Sequence, residues 1–119
     1  MDVRIDLDAA ARMIEERRES WRQSGVTVGE TTWRDQGEGW PPVLKTSRSD
    51  VRDADSVGVA LSKGEQEGSV VLFSGGWADF LYWSGDPSDA PVDEAPGWQD
   101  WLTTDTFGSL LDRLGDLFR

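Results

Sequence analysis

The sequence contains no cysteine and no histidine, and only two lysines and one tyrosine among its 119 residues. Without cysteine there is no disulfide, no thiolate nucleophile and no cysteine-held zinc or iron–sulfur centre. Without histidine the chain lacks the usual general base near neutral pH and the commonest metal ligand, so Ser-His-Asp and Cys-His catalysis are excluded. Basic charge of any kind is scarce, since 12 Lys and Arg stand against 23 Asp and Glu for a formal net charge of -11. That balance argues against nucleic acid as a partner, because phosphates are neutralised by basic groups. No apolar run approaches the roughly 18 residues that span a membrane. Residues 1–8 are charged and hold no apolar signal core, so the expectation is a cytoplasmic protein.

What is present points to one folded domain, residues 1–119, since a domain typically takes about 100–200 residues. Leu, Ile, Val and Phe together make 26 of the 119 residues, little more than the roughly one-fifth below which disorder is expected. Seven tryptophans decide for a folded chain, because each ring buries about 150–250 Å². At least four of them are expected to serve the core.

Apolar periodicity lays out the elements. Leu7, Ala10, Ile14 and Trp21 recur at helical spacing, so a helix is expected over Leu7–Gln23, capped by Asp6 or Asp8 and stopped at Ser24-Gly25. A strand begins at Val26 and extends toward Trp33, and a short one is expected over residues 43–46, beside Pro41 and Pro42. Val57, Val59 and Leu61 alternate, a polar turn covers residues 63–68, and Val70-Val71-Leu72-Phe73 is an unbroken apolar run. Such a run marks a central strand covered on both faces. Gly75-Gly76 suits a two-residue hairpin turn, after which residues 77–83 return antiparallel, so residues 57–83 form a three-stranded meander. Residues 85–96 read as a Pro-rich loop. Phe107, Leu110, Leu111, Leu114, Leu117 and Phe118 define a last helix, with Asp105 as the expected cap and Thr104 as the alternative. The expected fold class is α+β, an antiparallel sheet of about four to five strands with an N-terminal and a C-terminal helix.

Charge is distributed unevenly along this plan. From residue 64 to residue 112 there is no Lys or Arg, while ten carboxylates and four tryptophans fall in that stretch. Trp77, Asp79, Leu81 and Trp83 share one face of their strand and Ala78, Phe80 and Tyr82 the other, both apolar enough to be covered. Asp79 is therefore either a solvated or arginine-paired carboxylate, with Arg113 as a possible partner, or an acidic contact between two aromatic anchors. The 85–96 loop carries Asp86, Asp89, Asp93 and Glu94 between prolines. Its acids lack the alternate spacing and sixth-position Gly of an EF-hand, so it is read as a solvated or a partner-binding loop, its prolines reducing the entropy lost on binding. Trp98, Asp100 and Trp101 follow it; Trp98 and Trp40 sit in Gly/Pro loops and are expected to be exposed. Enzyme readings find little support: no nucleotide-binding glycine loop is present, and no carboxylate pair stands out for glycoside hydrolysis. No metal or cofactor is expected.

The segment Val70-Val71-Leu72-Phe73-Ser74-Gly75-Gly76-Trp77-Ala78-Asp79-Phe80, within an acidic, Cys-free α+β plan, resembles the strand–Gly-Gly–strand core of small bacterial immunity proteins. These neutralise polymorphic or contact-dependent toxins by direct binding. A preference for Arg over Lys, ten to two, fits a GC-rich genome of the actinobacterial kind. The resemblance implies a non-enzymatic protein whose partner is a cognate toxin or another basic protein. The candidate contacts are the anchors Trp77, Trp83, Trp98 and Trp101 and the carboxylates Asp79, Asp86, Asp89, Asp93, Glu94 and Asp100. Alternatives are a regulatory or scaffold domain for a basic host protein and a small carbohydrate-binding module with a Trp platform. The oligomeric state is left open, although Pro41 and Pro42 make the Val43 strand a poor edge for pairing with a second copy.

Overall fold

A computed structural model describes residues 5–37, 39, 41 and 43–119. Helix α1 spans Leu7–Gln23, and its Asp6 cap accepts a hydrogen bond from the Ala9 N–H. The predicted stripe of Leu7, Ala10, Ile14 and Trp21 is buried. Ser24 closes the helix and Gly25 follows at a positive φ of 86°, a conformation that glycine adopts without strain.

Six strands follow: β1 (Thr27–Val28), β2 (Thr32–Asp35), β3 (Ala54–Lys63), β4 (Gln66–Phe73), β5 (Ala78–Trp83) and β6 (Val92–Glu94). All pair antiparallel in one sheet, in the order β1-β3-β4-β5-β6, with β2 also on β3. β1 and β2 lie end to end along one edge of β3. The predicted continuous strand is interrupted at residues 29–31 because α1 claims that segment. Arg18 donates to the Gly29 carbonyl at 2.7 Å and to the Thr31 hydroxyl at 2.6 Å, while Thr31 donates to Glu15 at 2.9 Å.

The β3–β4 connection needs only Gly64-Glu65, since Lys63 pairs with Gln66 and Gly64 takes a φ of 60° at the first turn position. The β4–β5 turn is longer than the expected two residues. Phe73 N–H donates to the Trp77 carbonyl across Ser74-Gly75-Gly76, and only Gly76 has positive φ. A three-residue loop ending in a left-handed glycine is a common hairpin solution.

Helix α2 (Thr104–Leu117) is capped by Thr103 rather than by Asp105 or Thr104. The Thr103 hydroxyl accepts from the Thr106 N–H while the Thr106 hydroxyl accepts from the Thr103 N–H. This reciprocal box satisfies two orphan donors at once, which a lone Asp105 does not.

Both helices pack on the same side of the sheet. α1 touches β1, β3 and α2, and α2 lies over β4. The helix-facing side carries Val57, Val59, Leu61, Val70, Leu72, Ala78 and Phe80, all buried. Gly68 belongs to the same row: a Cβ there would come within 2.9 Å of Leu114 and 3.0 Å of Phe118. Tyr82 meets Phe118 edge to face at 5.3 Å and donates its hydroxyl to Gln66. Phe80, Phe107, Phe118, Ile14, Leu72, Leu111 and Leu114 are essentially sealed from water. Burial of each such side chain is worth about 1.5–3 kcal/mol. Lys63 donates to the Ser24 and Phe118 carbonyls, placing one cation at the C-terminal ends of both helices.

Three further expectations are corrected. Residues 43–46 form no strand; Lys45 alone makes a bridge to Trp33. The Pro-rich stretch is not all loop, since Val92, Asp93 and Glu94 pair with Tyr82, Leu81 and Phe80 as β6. Of the six tryptophans described, only Trp21 and Trp33 are core and Trp77 is half-buried, fewer than the four expected. Trp40 lies outside the described residues.

Two glycines set the spacing of the helix pair. A Cβ on Gly115 would fall 2.6 Å from the Trp21 indole nitrogen, and one on Gly108 would fall 2.6 Å from the terminal methyl of Met13. The indole is buried and rigid, whereas the methionine tip can swing aside. Gly115→Ala is expected to lower the urea midpoint, because overpacking of about 1–3 kcal/mol outweighs the roughly 1 kcal/mol gained in helix propensity. Gly108→Ala is expected to leave the midpoint unchanged or raise it.

Candidate functional site: the open face of the sheet

Side chains alternate across a strand, so each residue placed toward the helices puts its neighbours on the other side. No helix or strand among the described residues covers that second face. The register builds it in rows. Thr27, Ser62, Glu67 and Trp83 lie across one another, then Ala60, Ser69, Leu81 and Asp93, then Thr32, Gly58, Val71 and Asp79. The row at the hairpin end is Arg34, Ser56, Phe73 and Trp77.

This layout corrects the expectation that β4 and β5 are covered on both sides. Val71 and Phe73 are only half-buried, and Leu81 and Trp83 are 43% and 37% exposed. The apolar character of the run Val70-Val71-Leu72-Phe73 reflects two different surfaces, one sealed and one facing water.

Two features occupy the open face. At the hairpin end Phe73 and Trp77 stack with ring centres 4.3 Å apart, and Trp98 meets Trp77 edge-on at 5.3 Å. Trp98 is held there because the segment after β6 is stitched to the hairpin. Ala78 N–H donates to the Pro96 carbonyl and Leu102 N–H to the Gly76 carbonyl. Gly97, at a φ of 90°, passes so close that a Cβ would lie 2.5 Å from the Gly76 oxygen. Arg34 lies 5.7 Å from the Phe73 ring centre and pairs with Asp55. At the opposite end a groove of about 570 Å³ runs over Ala60, Ser62 and Ser69, walled by Leu81, Trp83 and Pro91, with Glu67 and Asp93 on its lining.

The predicted contact residues separate into groups. Trp77, Asp79, Trp83 and Asp93 share the open face, with Trp98 leaning on it through Trp77. Trp98 is 70% exposed and Trp101 59%. Asp100 is exposed between them. Asp86 and Asp89 shape the turn before β6. Asp86 accepts from the Ser88 N–H and hydroxyl, and Asp89 from the Ser84 hydroxyl. The Ser88 backbone donor, with its hydroxyl, holds the Asp86 carboxyl below its usual range.

Glu94 is placed differently. It alternates away from Asp93 to the helix side, where Arg113 clasps it through two hydrogen bonds of 2.7 Å. Arg113 also stands 4.7 Å over the Phe80 ring. Arg113 is thereby engaged on the far side of the sheet from Asp79, which has no ion-pair partner among the described residues.

Glu67, Ala60, Ser69 and Leu81 were not among the predicted contacts. Leu81 carried the signal, since it alternates with Asp79 and Trp83. Glu67 was concealed inside a stretch read as a turn. What the face offers is indole surface, aliphatic surface and carboxylates, the chemistry of binding. Among the described residues no group of three or more His, Cys, Asp and Glu side chains is placed to hold a metal ion. No helix among them is long and apolar enough to cross a membrane. No family model, curated protein or solved structure matches the chain.

The Arg113 hydrogen bonds hold the Glu94 carboxyl below its usual range. A carboxyl whose pKa falls on folding stabilises the fold above its unfolded value and loses that contribution on acidification. Glu94→Gln is therefore expected to be less stable than the parent at about pH 7, with the difference shrinking toward about pH 3. Urea midpoints of the two proteins at both pH values measure it.

Proposed function

We propose that this chain is a non-enzymatic, cytoplasmic immunity-type protein that binds a basic bacterial toxin domain and occludes it with the open face of its sheet. One observation carries this reading. The face joins exposed Leu81 and Trp83 to the carboxylates Glu67, Asp79 and Asp93, and its one cation among the described residues, Arg34, is tied to Asp55.

Aromatic anchors surrounded by polar groups are the usual composition of a protein-binding patch. Leu81, Trp83 and the Trp77–Trp98 pair supply area to be desolvated. The carboxylates, in this proposal, occupy positions on the toxin where substrate phosphates would sit. An acidic face also speeds encounter with a basic partner, above the roughly 10⁵–10⁶ M⁻¹s⁻¹ of unsteered association. A regulatory domain for another basic protein would use the same surface, and genetic context separates the two.

The gene is expected to lie beside a large gene with a variable C-terminal toxin domain, and co-expression is expected to rescue cells from that domain. Continued killing with this protein folded and abundant overturns the proposal. Asp79→Lys with Asp93→Lys is expected to slow association on the order of tenfold at low salt and flatten its salt dependence. Stopped-flow rates that do not change place the interface elsewhere.

A further inference from the structure

The groove at the Trp83 end has a specific construction. Its floor is made of small side chains that face one another in register, Ala60 across from Ser69 and Ser62 beside them. Larger side chains at these positions would fill the space. Its wall rises abruptly at Leu81 and Trp83, which pair with Ser69 and Glu67. Asp93 stands opposite Leu81, so carboxylates flank the wall from both neighbouring strands.

Nothing in the described chain compensates these charges. Glu67 and Asp93 have no ion-pair partner among the described residues. The two cations that bound the basic-free stretch are both committed elsewhere, Lys63 to the helix ends and Arg113 to Glu94. An apolar occupant without charge would desolvate both carboxylates with no return. A second copy of this chain, meeting the same face, would bring its own Glu67, Asp79 and Asp93 against these, so like charges would oppose one another. The fitting occupant has an apolar stem and a cationic head. A guanidinium meets the indole and the carboxylates better than an ammonium does, because it is planar, stacks on aromatic faces and forks its donors.

We propose that this groove seats an arginine side chain of the basic partner protein, its aliphatic stem along Leu81, its guanidinium over Trp83 and between Glu67 and Asp93. The proposal rests on the reading of the chain as a binder of a basic protein, and it names where that partner's anchor enters.

The test titrates the full, isotope-labelled chain with N-acetyl-arginine-amide at constant ionic strength, following amide and indole NMR signals. N-acetyl-lysine-amide and N-acetyl-citrulline-amide, the second nearly isosteric but uncharged, serve as comparisons. Saturable shifts are expected at the Trp83 indole and at the amides of Ala60, Ser69 and Leu81, with a Kd on the order of 1–10 mM. Lysine is expected to bind about fivefold or more weakly and citrulline not to saturate. Glu67→Gln with Asp93→Asn is expected to weaken arginine binding about fivefold or more, and Ala60→Phe, at an exposed position, to abolish it. Shifts that are absent, scattered, equal for the three probes or indifferent to these variants overturn the proposal. Arginine seated in the groove with no rescue from the toxin would leave the groove standing and remove the toxin reading. Rescue with an empty groove would do the reverse.

Discussion

The pleat of the β3–β4–β5 meander allows a residue to serve one side of the sheet only, and among the described residues the two helices lie on the same side. Everything distinctive in this molecule follows from that constraint. Val57, Val59, Val70, Leu72 and Phe80 are committed to the helices, so Gly58, Ala60, Ser69, Val71, Asp79 and Leu81 must face the other way. The second surface is thus as strictly specified as the core, although no helix or strand among the described residues packs on it. A slip of one residue in β5 would bury Asp79 against the helices and expose Phe80. The register that protects the core therefore also fixes which side chains can meet a partner.

Close approach between the layers reinforces the constraint. Gly68 lets Leu114 and Phe118 reach the backbone of β4, and Gly115 lets the Trp21 indole lie against α2. These contacts replace side-chain volume with direct packing, which explains how a chain with so few aliphatic residues holds two helices. Gly108 and Gly115 lower the intrinsic helicity of α2, but the same absence of a Cβ is what brings the helices together. Arg17 completes the join, bonding Asp112 at 2.8 Å together with the Met13 and Gly108 carbonyls.

Much of this is legible in the sequence alone, and what is not has physical causes. Helix α1 was readable to its ends because a carboxylate cap, a single apolar stripe and a Ser-Gly stop agree. The division of β5 into Asp79, Leu81 and Trp83 against Ala78, Phe80 and Tyr82 was readable because alternation needs no tertiary information. β6 is hidden because Pro91 and Pro96 bracket three residues, too few to show alternation, whose support from β5 and Arg113 is tertiary. The α2 cap is hard to read from sequence because Thr103 acts through a reciprocal bond to Thr106, a pattern that Asp105 obscures. Exposure of the second face was invisible for a deeper reason. Val71, Phe73, Leu81 and Trp83 look like core residues, and composition cannot tell an apolar side chain on an open face from one already buried.

The arginines show how the chain has distributed its scarce positive charge. Arg17 meets Asp112, Arg18 meets Glu15, Arg48 meets Asp8 and Arg113 meets Glu94. None of these carboxylates lies on the open face of the sheet. Pairs this close to solvent add little stability individually, so their value is not chiefly energetic. Their consequence is that these four cations are held away from the open face. These four carboxylates are paired away from the open face, while Glu67, Asp79 and Asp93 stand without an ion-pair partner among the described residues, beside exposed aromatic and aliphatic surface. Such a face resists its own copy through like-charge repulsion, yet it loses that resistance when a cationic surface approaches. In the proposed function the net charge thereby becomes a rule of selection: the same carboxylates that would discourage self-association of an apolar sheet face would specify the sign of the partner that covers it.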